Sequence, residues 1–347
     1  MPDPAIRGLG TAVPPYRHAQ KDIYEQFVEP RLGPNRLARA AFMSAQIEYR
    51  HSVFGDGSFY NHRRTFAERN EAYMRYARPL GAQAISRCLE DARLPPSEVD
   101  DLIVVSCTGL DTPGLDLLLA ADLGMRHDLR RTFIGAMGCY AAFPGLYRAA
   151  SAVRARPGTR ALVLCIELGT LHFQDDPGTD NLLAAALFGD GAAAVLVDGE
   201  AATGPHLLDQ RTFSDYQTLD HMAWHVADEG FRLTLSSYVP NVLRSKAAYL
   251  IDELLAPHGL RRSDVRFWGI HPGGALILDY LERALELDPE ALRFSRRVLR
   301  EYGNLSSATV LFVLDEMRRS GEPRPGDLGV LMAFGPGLTF ESCLLRW

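Results

Sequence analysis

The chain has few cysteines for its length. There are five among 347 residues, Cys88, Cys107, Cys139, Cys165 and Cys343, and no two of them form a Cys-x-x-Cys pair. An odd number of scattered cysteines argues against a disulfide framework and against a structural zinc site. We therefore expect free thiols in a reducing compartment and no bound metal.

Long apolar runs and blocks of like charge are also lacking. No run of about 18 apolar residues occurs, and residues 1–10 contain no apolar core of signal-peptide length. The 37 basic and 43 acidic residues are interspersed and give a net charge of −6. These absences predict a cytoplasmic protein that binds neither nucleic acid nor a membrane.

The length permits two packed halves, and the sequence repeats itself faintly. Three short landmarks recur in the same order at a spacing of about 165 residues. They are 94–99 and 260–265, Gly138-Cys139 and Gly303-Asn304, and 156–158 and 324–326. The repetition predicts an N-terminal half, 1–200, and a C-terminal half, 201–347. Coincidence is the alternative, because short matches of this kind are permissive.

Within each half, apolar runs alternate with helical patterns. The runs 101–106 and 160–167 predict buried strands, and the segments 82–89, 140–153, 247–255 and 307–317 predict helices. Such alternation is typical of an α/β fold with mostly parallel sheets. We expect two such sheets around a central helical layer, with residues 1–80 as a helical embellishment. Residues 201–246 are expected to form an excursion that covers the site.

One cysteine stands where a predicted strand gives way to a predicted helix. Gly135 and Gly138 precede Cys139, and glycine tolerates the backbone angles of a tight turn. A helix start favours negative charge, so we expect the Cys139 thiol to ionise more readily than a free thiol and to attack a thioester. A small core cysteine fits this segment equally well. Cys107, at the end of a predicted strand, is a candidate for a cavity wall.

His271 has a distinctive context among the ten histidines. It ends a predicted buried strand and precedes the turn Pro272-Gly273-Gly274, at the sheet edge where α/β proteins build their sites. A cysteine nucleophile needs such a base or cation. His221 and His225 have no third ligand at metal spacing, so no metal site is expected there.

Asn304 follows Gly303 at another predicted helix start. Asparagine at such a place is often only a helix cap, which is the alternative to a catalytic role. The repeat makes Asn304 the counterpart of Cys139. If the two halves face each other, both helix starts point into one pocket.

Six motifs together resemble those of the type III polyketide synthases, the chalcone synthase-like family of the thiolase superfamily. They are Gly138-Cys139, LFGDGAA (187–193), GIHPGG (269–274), YGNLSSA (302–308), LDEM (314–317) and FGPGLT (334–339). The related ketoacyl synthase III enzymes share a Cys-His-Asn set. The turn Gly335-Pro336-Gly337 and the Asn-Leu-Ser-Ser run look like the polyketide branch, and the resemblance extends from roughly residue 60 to the C-terminus.

The resemblance implies a thiolase-like αβαβα fold and a homodimeric acyltransferase that acts on acyl-CoA and malonyl-CoA without a cofactor. Cys139 would hold the starter acyl group, and His271 would be the cation beside its thiolate. His271 and Asn304 would polarise the malonyl thioester carbonyl, where charge builds up on decarboxylation. Repeated condensation and cyclisation to a small pyrone or aromatic product would follow.

The resemblance also implies substrate-binding residues. Phe188 matches one gatekeeper phenylalanine of the family, and Leu233 stands at the position of the second. His172 and Trp224 are bulky where plant members carry small residues, so we expect few malonyl additions. Waters would be held by Thr108, Glu167 and Ser306, and the turn 335–337 would line the site. Coenzyme A would contact Arg36, Arg39, Arg50, Gly273 and Gly274.

Two other functions stay open at this stage. A ketoacyl synthase III-like enzyme would perform a single condensation with a carrier protein, and a catalytically silent thiolase-fold protein would only bind a partner. The sequence does not reveal the starter acyl group, the number of extensions or the mode of ring closure.

Overall fold

The computed structural model describes residues 3–200, 204–236 and 238–347. The strands in this part are β1 (Ala5–Ala12), β2 (Tyr16–Ala19), β3 (Tyr49–Ser52), β4 (Asp101–Val105), β5 (Arg130–Ile134), β6 (Ala161–Leu168), β7 (Asp190–Asp198), β8 (His206–Ser214), β9 (Met222–Ala227), β10 (Gly230–Leu235), β11 (Phe267–Ile270), β12 (Leu328–Gly335) and β13 (Thr339–Arg346). The α-helices are α1 (Gln20–Asp22), α2 (Glu29–Leu32), α3 (Arg36–Ser44), α4 (Phe66–Ala92), α5 (Leu115–Asp122), α6 (Ala142–Ala155), α7 (Thr179–Leu187), α8 (Val239–Leu255), α9 (Ala275–Leu285), α10 (Arg293–Tyr302) and α11 (Thr309–Arg319).

Nine strands form one large sheet in the order β11-β12-β13-β8-β1-β7-β6-β4-β5. β4 is parallel to β5 and β6, and β11 is parallel to β12, whereas the other neighbouring pairs are antiparallel. The predicted α/β class is confirmed, but the expectation of mostly parallel pairing is wrong. Strands such as β6 and β7 are buried along their whole length. A strand that is buried on both faces has a continuous apolar run whether its pairing is parallel or antiparallel, so its sequence does not reveal the pairing direction.

The sheet is built from two similar halves. The order β1-β7-β6-β4 in the N-terminal half corresponds to β8-β13-β12-β11 in the C-terminal half, with the same directions of pairing. The halves are joined between β1 and β8, where Ala5 pairs with His206 and the Ile6 amide donates to the Pro205 carbonyl over 2.9 Å. The expected duplication is therefore present in the topology, but as one continuous sheet instead of two separate ones.

Two helices, α6 and α11, form the central layer. Leu146 and Val153 of α6 share one buried cluster with Val310 and Leu314 of α11 and with residues from both halves of the sheet. Each fully buried leucine of this kind contributes about 1.5–3 kcal/mol through the hydrophobic effect. A single 3₁₀ turn precedes each helix, Gly138–Tyr140 before α6 and Ser306–Ala308 before α11. These turns make Ser307 the structural counterpart of Cys139, so the sequence repeat, which paired Cys139 with Asn304, is wrong by three residues.

The N-terminal segment is not only an embellishment, contrary to the prediction for residues 1–80. β1 lies in the middle of the sheet between β7 and β8. Gly8 and Gly10 lie against α4 so closely that a Cβ on Gly8 would lie 2.5 Å from the Cys88 carbonyl oxygen. The two glycines permit this approach, and they also remove the apolar pattern by which the strand could have been predicted.

The segment between the halves contributes both to the sheet and to a separate hairpin. β8 belongs to the nine-stranded sheet, whereas β9 and β10 pair only with each other in the described part of the chain. The hairpin brings Trp224 and Leu233 face to face in register. The prediction that residues 201–246 cover the site therefore holds for the hairpin and fails for β8. Among the described residues, none of the helices combines the length and hydrophobicity that crossing a bilayer would need.

Candidate active site

Cys139 lies on the 3₁₀ turn between β5 and α6, and its side chain is buried. Gly138 has a φ of +78°, and a Cβ at this position would lie 2.8 Å from Pro336. Ala136, three residues before Cys139, also has a positive φ, +57°. Left-handed backbone at a non-glycine residue costs free energy and persists only where the surroundings enforce it. The turn that presents Cys139 is therefore set by packing against the 335–337 segment.

Asn304 is held mainly through its backbone. Its amide donates to the Leu187 carbonyl over 2.9 Å, and its carbonyl accepts from the Gly189 amide over 3.0 Å. Gly303, with a φ of +70°, leaves space for this contact, because a Cβ there would lie 2.7 Å from the Leu187 oxygen. The backbone of Asn304 is thus hydrogen-bonded to Leu187 and Gly189, the two residues that flank Phe188.

The side chain of Asn304 faces Cys139. Its Oδ1 lies 4.0 Å from Cys139 Sγ and accepts a 2.8 Å bond from the Ser306 amide. The bond from the Ser306 amide resembles a helix cap. Asn304 therefore has both the capping contact and a position beside the Cys139 sulfur. The fold brings these two residues together across the two halves.

His271 follows β11 and is completely buried. Neither ring nitrogen has a hydrogen-bond partner among the described residues, and the ring packs against Phe334 at 5.8 Å between centroids. Gly335, which follows Phe334 in β12, lies against the backbone of Cys139. A Cβ added at Gly335 would lie 3.4 Å from the Cys139 nitrogen. His271 makes no hydrogen bond to Cys139 or Asn304 in this structure.

Burial favours the neutral forms of both candidate groups. It raises the pKa of Cys139 to about 12, although hydrogen bonds to Ser306 and Asn304 partly offset the increase. It lowers the pKa of His271 to about 3. Loss of water on burial therefore opposes the ionisation of Cys139 that was expected from the helix start. Burial likewise opposes the imidazolium that the resemblance implies for His271, whose role stays a prediction.

A buried carboxylate lies beside the candidate nucleophile. Glu167 accepts hydrogen bonds from Thr108 Oγ1 at 2.7 Å, Ser307 Oγ at 2.6 Å and the Cys107 amide at 3.0 Å. Burial raises its pKa, and these hydrogen bonds limit the increase. The predicted residues Thr108 and Glu167 are thus adjacent, whereas the sequence did not identify Ser307 as their partner.

Cys107 is the second thiol of this region. Its Sγ lies 3.3 Å from Glu167 Oε1 and 3.4 Å from Ser306 Oγ, and the pKa of Cys107 is raised well above its ordinary value by burial and by Glu167. Ser106 and Cys107 follow β4 as His271 follows the equivalent β11. Cys107 lines the small cavity beside Ser306, as its place at the end of a strand predicted.

Three aromatic side chains separate the region of Ser306 from a larger cavity. The rings of Phe188 and Trp224 lie 5.4 Å apart, and those of Trp224 and Phe231 lie 6.1 Å apart. Leu233 pairs with Trp224 across the hairpin. Phe188, Trp224, Phe231 and Leu233 therefore lie together in this partition. Phe231 was missed from the sequence, although it stands two residues before Leu233 in β10 and so shares its face.

His172 is buried next to this partition. Its Nε2 donates to the Thr108 carbonyl over 2.8 Å, and its ring lies 4.6 Å from Phe231. The carbonyl partner is only an acceptor, which assigns the proton to Nε2. Burial lowers the pKa of His172 to about 4, so the ring is neutral at neutral pH. The predicted bulk at positions 172 and 224 thus lies at the site.

The proposed coenzyme A residues are separated by the structure. Arg36 and Arg39 are exposed on α3, and Gly273 and Gly274 form the turn between β11 and α9. Arg50 is buried, and its Nη1 donates to the carbonyls of Ala185 and Phe188 at 2.6 and 2.7 Å. The guanidinium of Arg50 thus holds the end of α7 through Nη1, and its contact with coenzyme A stays a prediction. Within the described ranges, no group of three or more acidic, histidine or cysteine side chains could hold a metal ion.

Comparison with known proteins addresses the family. The models described as the N-terminal and C-terminal domains of chalcone and stilbene synthases match residues 59–201 and 210–347. The 1,3,6,8-tetrahydroxynaphthalene synthase of Streptomyces peucetius subsp. caesius is 36% identical, over 99% of this chain and 93% of its own length. This chain belongs to the type III polyketide synthases.

Other relatives of this type III polyketide synthase agree with that assignment. The 3,5-dihydroxyphenylacetyl-CoA synthase of Streptomyces toyocaensis is 32% identical over 100% of this chain and 90% of its own length. The crystal structure of 1,3,6,8-tetrahydroxynaphthalene synthase from Streptomyces coelicolor A3(2), a bacterial type III polyketide synthase, has a TM-score of 0.94 at 33% identity, with 99% of each chain covered. The resemblance drawn from the six motifs and the thiolase-like fold are confirmed, and the chain is an acyltransferase.

Proposed function

We propose that this type III polyketide synthase condenses malonyl-CoA units repeatedly onto an acyl-CoA starter that is held as a thioester on Cys139. The observation that carries the proposal is the 4.0 Å separation between Cys139 Sγ and Asn304 Oδ1, on a chain that belongs to this family. A nucleophile and an amide donor then share one buried site. The neutral His271, whose ring nitrogens have no partner among the described residues, is available to bind a substrate group there.

Loading of the enzyme is an acyl transfer. The Cys139 thiol gives its proton to His271, and the sulfur attacks the carbonyl of the acyl-CoA thioester. The tetrahedral intermediate collapses with loss of the coenzyme A thiolate, which takes up a proton. Burial disfavours a separated thiolate, so the proton must move as the sulfur attacks.

Extension begins with the loss of CO₂ from malonyl-CoA. The electrons of the broken carbon–carbon bond form an enolate, whose negative charge develops on the thioester oxygen. The Asn304 amide and a ring N–H of His271 are the donors that would stabilise this oxygen, each by about 2.7–4 kcal/mol. The enolate carbon attacks the Cys139 thioester and releases the thiolate, and the lengthened chain on coenzyme A returns to Cys139.

Cyclisation to a small aromatic or pyrone product would end the sequence. The names of two relatives, a tetrahydroxynaphthalene synthase and a dihydroxyphenylacetyl-CoA synthase, support an aromatic product. Thr108, Glu167 and Ser306 provide the polar groups of the site that could position a water or an enol. Few extensions are expected, because the cavity beside Cys107 and Ser306 encloses only about 10 Å³.

Coenzyme A would be held near the turn 273–274. The backbone at Gly273 and Gly274 follows directly on His271, so a thioester bound there places its carbonyl near the imidazole. The exposed Arg36 and Arg39 could contact the phosphates. No resident cofactor is needed for these steps, and removal of metal ions by chelation should leave turnover unchanged.

We further propose that the protein acts as a cytoplasmic homodimer. β5 is an edge strand of the large sheet, and an edge strand offers unpaired backbone groups to another chain. Phe133 on β5 and Tyr147 on α6 are 41% and 60% exposed. Phe133→Asp should shift the mass found by light scattering from dimer to monomer, whereas Tyr249→Asp, at an exposed position of α8, should not. The five free cysteines agree with a reducing compartment.

The decisive experiment is mass spectrometry of products and of intact protein. Wild-type enzyme given acyl-CoA starters and malonyl-CoA, without carrier protein, should release products with more than one malonyl-derived unit and carry acyl groups on Cys139. Cys139→Ser should abolish both, and Cys88→Ser should retain both. Products limited to one extension, or a strict need for carrier protein, would favour the ketoacyl synthase III-like alternative. No acylation with any starter would favour a silent binding protein.

A further inference from the structure

The turn Gly335-Pro336-Gly337 lies against the 3₁₀ turn that carries Cys139. A Cβ on Gly138 would lie 2.8 Å from Pro336 Cδ, and a Cβ on Gly335 would lie 3.4 Å from the Cys139 nitrogen. Among the described residues, the backbone of the 335–337 turn makes no hydrogen bond to residues 136–140. Packing alone joins the two turns, so the position of the 335–337 turn must be fixed by other contacts.

Leu338, which follows this turn, is bonded to the loop that follows β8. Its carbonyl accepts from the Asp215 amide, and its amide donates to Thr218 Oγ1, each over 2.9 Å. Leu338 is completely buried, and Thr218 is 7% exposed. Both backbone groups of Leu338 are therefore held by one loop, out of contact with water.

Two hydrogen bonds fix the donor and acceptor roles of the Thr218 hydroxyl. It donates its proton to the Asp215 carbonyl over 2.9 Å, so it receives the Leu338 amide through a lone pair. A methyl group in place of this hydroxyl would leave the Leu338 N–H buried without a partner. A buried donor that loses its partner is costly, so the backbone at Leu338 would be expected to shift until the N–H is bonded again.

We propose that Thr218 is a positioning residue for the acylation of Cys139. Its hydroxyl holds Leu338 and thereby fixes the 335–337 turn against the turn that presents the Cys139 sulfur. The inference rests on the proposed function, because it concerns the loading of Cys139 by an acyl-CoA. Thr218 acts through Leu338 and the turn, so its loss changes the geometry of attack and leaves the reacting groups in place.

Thr218→Val and Thr218→Ser test the hydroxyl, because the first keeps the side-chain shape without it and the second keeps it. Single-turnover acylation, followed by intact-protein mass, uses acetyl-CoA, hexanoyl-CoA or malonyl-CoA, whichever loads wild type fastest. The rate should fall about tenfold or more in Thr218→Val, since slight misplacement of a reacting group has effects of this size. Thr218→Ser should load like wild type. Thr179→Val, exposed at the start of α7, is the matched control and should also load like wild type.

Release of CO₂ from malonyl-CoA separates positioning from a general loss of structure. This step is assigned to Asn304 and His271, so Thr218→Val should change it less than it changes acylation. A variant that was merely misfolded would lose both. Ser214 Oγ, 3.0 Å from Thr339 Oγ1, still joins β8 to β13 in the variants. Should Thr218→Val fail to fold, Thr218→Ala removes the same hydroxyl without adding bulk and takes its place.

Hydrogen–deuterium exchange measures the Leu338 bond in the free enzyme, without turnover. Peptides that cover residues 335–341 should exchange faster in Thr218→Val than in wild type or Thr218→Ser, because the Leu338 amide loses its acceptor. Equal acylation rates in Thr218→Val and wild type would overturn the role of Thr218, even if polyketides are formed. Faster exchange in a protein whose wild type is acylated by no starter would instead count against the proposed function, and the role of Thr218 would fall with it.

Discussion

Asn304 Oδ1 lies 4.0 Å from Cys139 Sγ, although 165 residues separate the two in the chain. The contact exists because α6 and α11 share one buried cluster and the 3₁₀ turns that precede the two helices contact each other. Both residues follow a glycine with left-handed backbone, Gly138 and Gly303. The site is thus formed at the seam of a duplicated fold.

Removal of the Asn304 amide should impair decarboxylation more than loading. Asn304→Ala is expected to lower kcat by about 10²–10³-fold, the usual effect of losing one donor to a developing oxyanion. Release of CO₂ from malonyl-CoA and acylation of Cys139 by intact-protein mass measure the two steps separately. Asn241→Ala, at an exposed position of α8, is the control. Loss of loading with unchanged CO₂ release would contradict the role assigned to Asn304.

The Cys139 thiol should react slowly with iodoacetamide in the free enzyme. Its pKa is raised to about 12 by burial, so the thiolate fraction at neutral pH is smaller than that of an ordinary thiol. The alkylation rate should rise steadily as the pH increases above neutrality, followed by peptide mass spectrometry. A fast rate that is independent of pH between about 6 and 8 would show a preformed thiolate–imidazolium pair instead.

His172 should make stability depend on pH in the acidic range. Its folded pKa of about 4 lies below the ordinary value of 6.5, so below 6.5 the unfolded chain binds a proton that the folded chain does not. His172 should therefore lower the free energy of unfolding by up to about 1.4 kcal/mol per pH unit as the pH decreases from 6.5 to about 4, and should contribute no change above pH 6.5. Urea unfolding of wild type and His172→Phe at several pH values checks this. The variant should show a smaller slope, and an equal slope would contradict the assignment.

Trp224 should limit the length of the product. Trp224→Gly removes the central ring of the partition and joins the small cavity beside Ser306 to the larger cavity of about 560 Å³, so we expect products with more malonyl-derived units. Val226→Gly, on the same strand and 67% exposed, introduces the same flexibility without opening a cavity. Product masses by liquid chromatography compare the two. Unchanged product length in Trp224→Gly would refute the role of this residue.

Gly303 should not tolerate a side chain. Gly303→Ala combines left-handed backbone, which costs about 1 kcal/mol or more, with a contact of 2.7 Å to the Leu187 carbonyl oxygen. Gly321 has a similar φ of +68° and open space around its Cβ position, so Gly321→Ala carries the backbone cost alone. Thermal unfolding and turnover of the two variants distinguish the cost of the backbone conformation, which both variants have, from the steric clash, which occurs only at position 303. Activity should be lost only at position 303.

Much of the site could be predicted because its residues lie in local patterns. Cys139, His271 and Asn304 each follow a strand or precede a helix in a glycine-containing turn, and such turns are visible in sequence. The helices α6 and α11 were placed within two residues at each end, since their apolar stretches are continuous. The pairing directions of β6, β7 and β13 could not be predicted, because a strand that is buried on both faces has no sequence pattern that reveals its direction.

What the sequence alone determined about this protein is its family, its α/β class and the identity of the candidate nucleophile, imidazole and amide. These depend on local motifs and on a repeat along the chain. Only the tertiary structure decided that Arg50 is a buried support of α7, that Cys107 contacts Glu167, and that a larger cavity lies beside Trp224. It also decided that Cys139 and His271 are buried, which raises the pKa of the first and lowers the pKa of the second. Protonation and cavity space depend on what surrounds a side chain, and residues distant in the chain supply those surroundings.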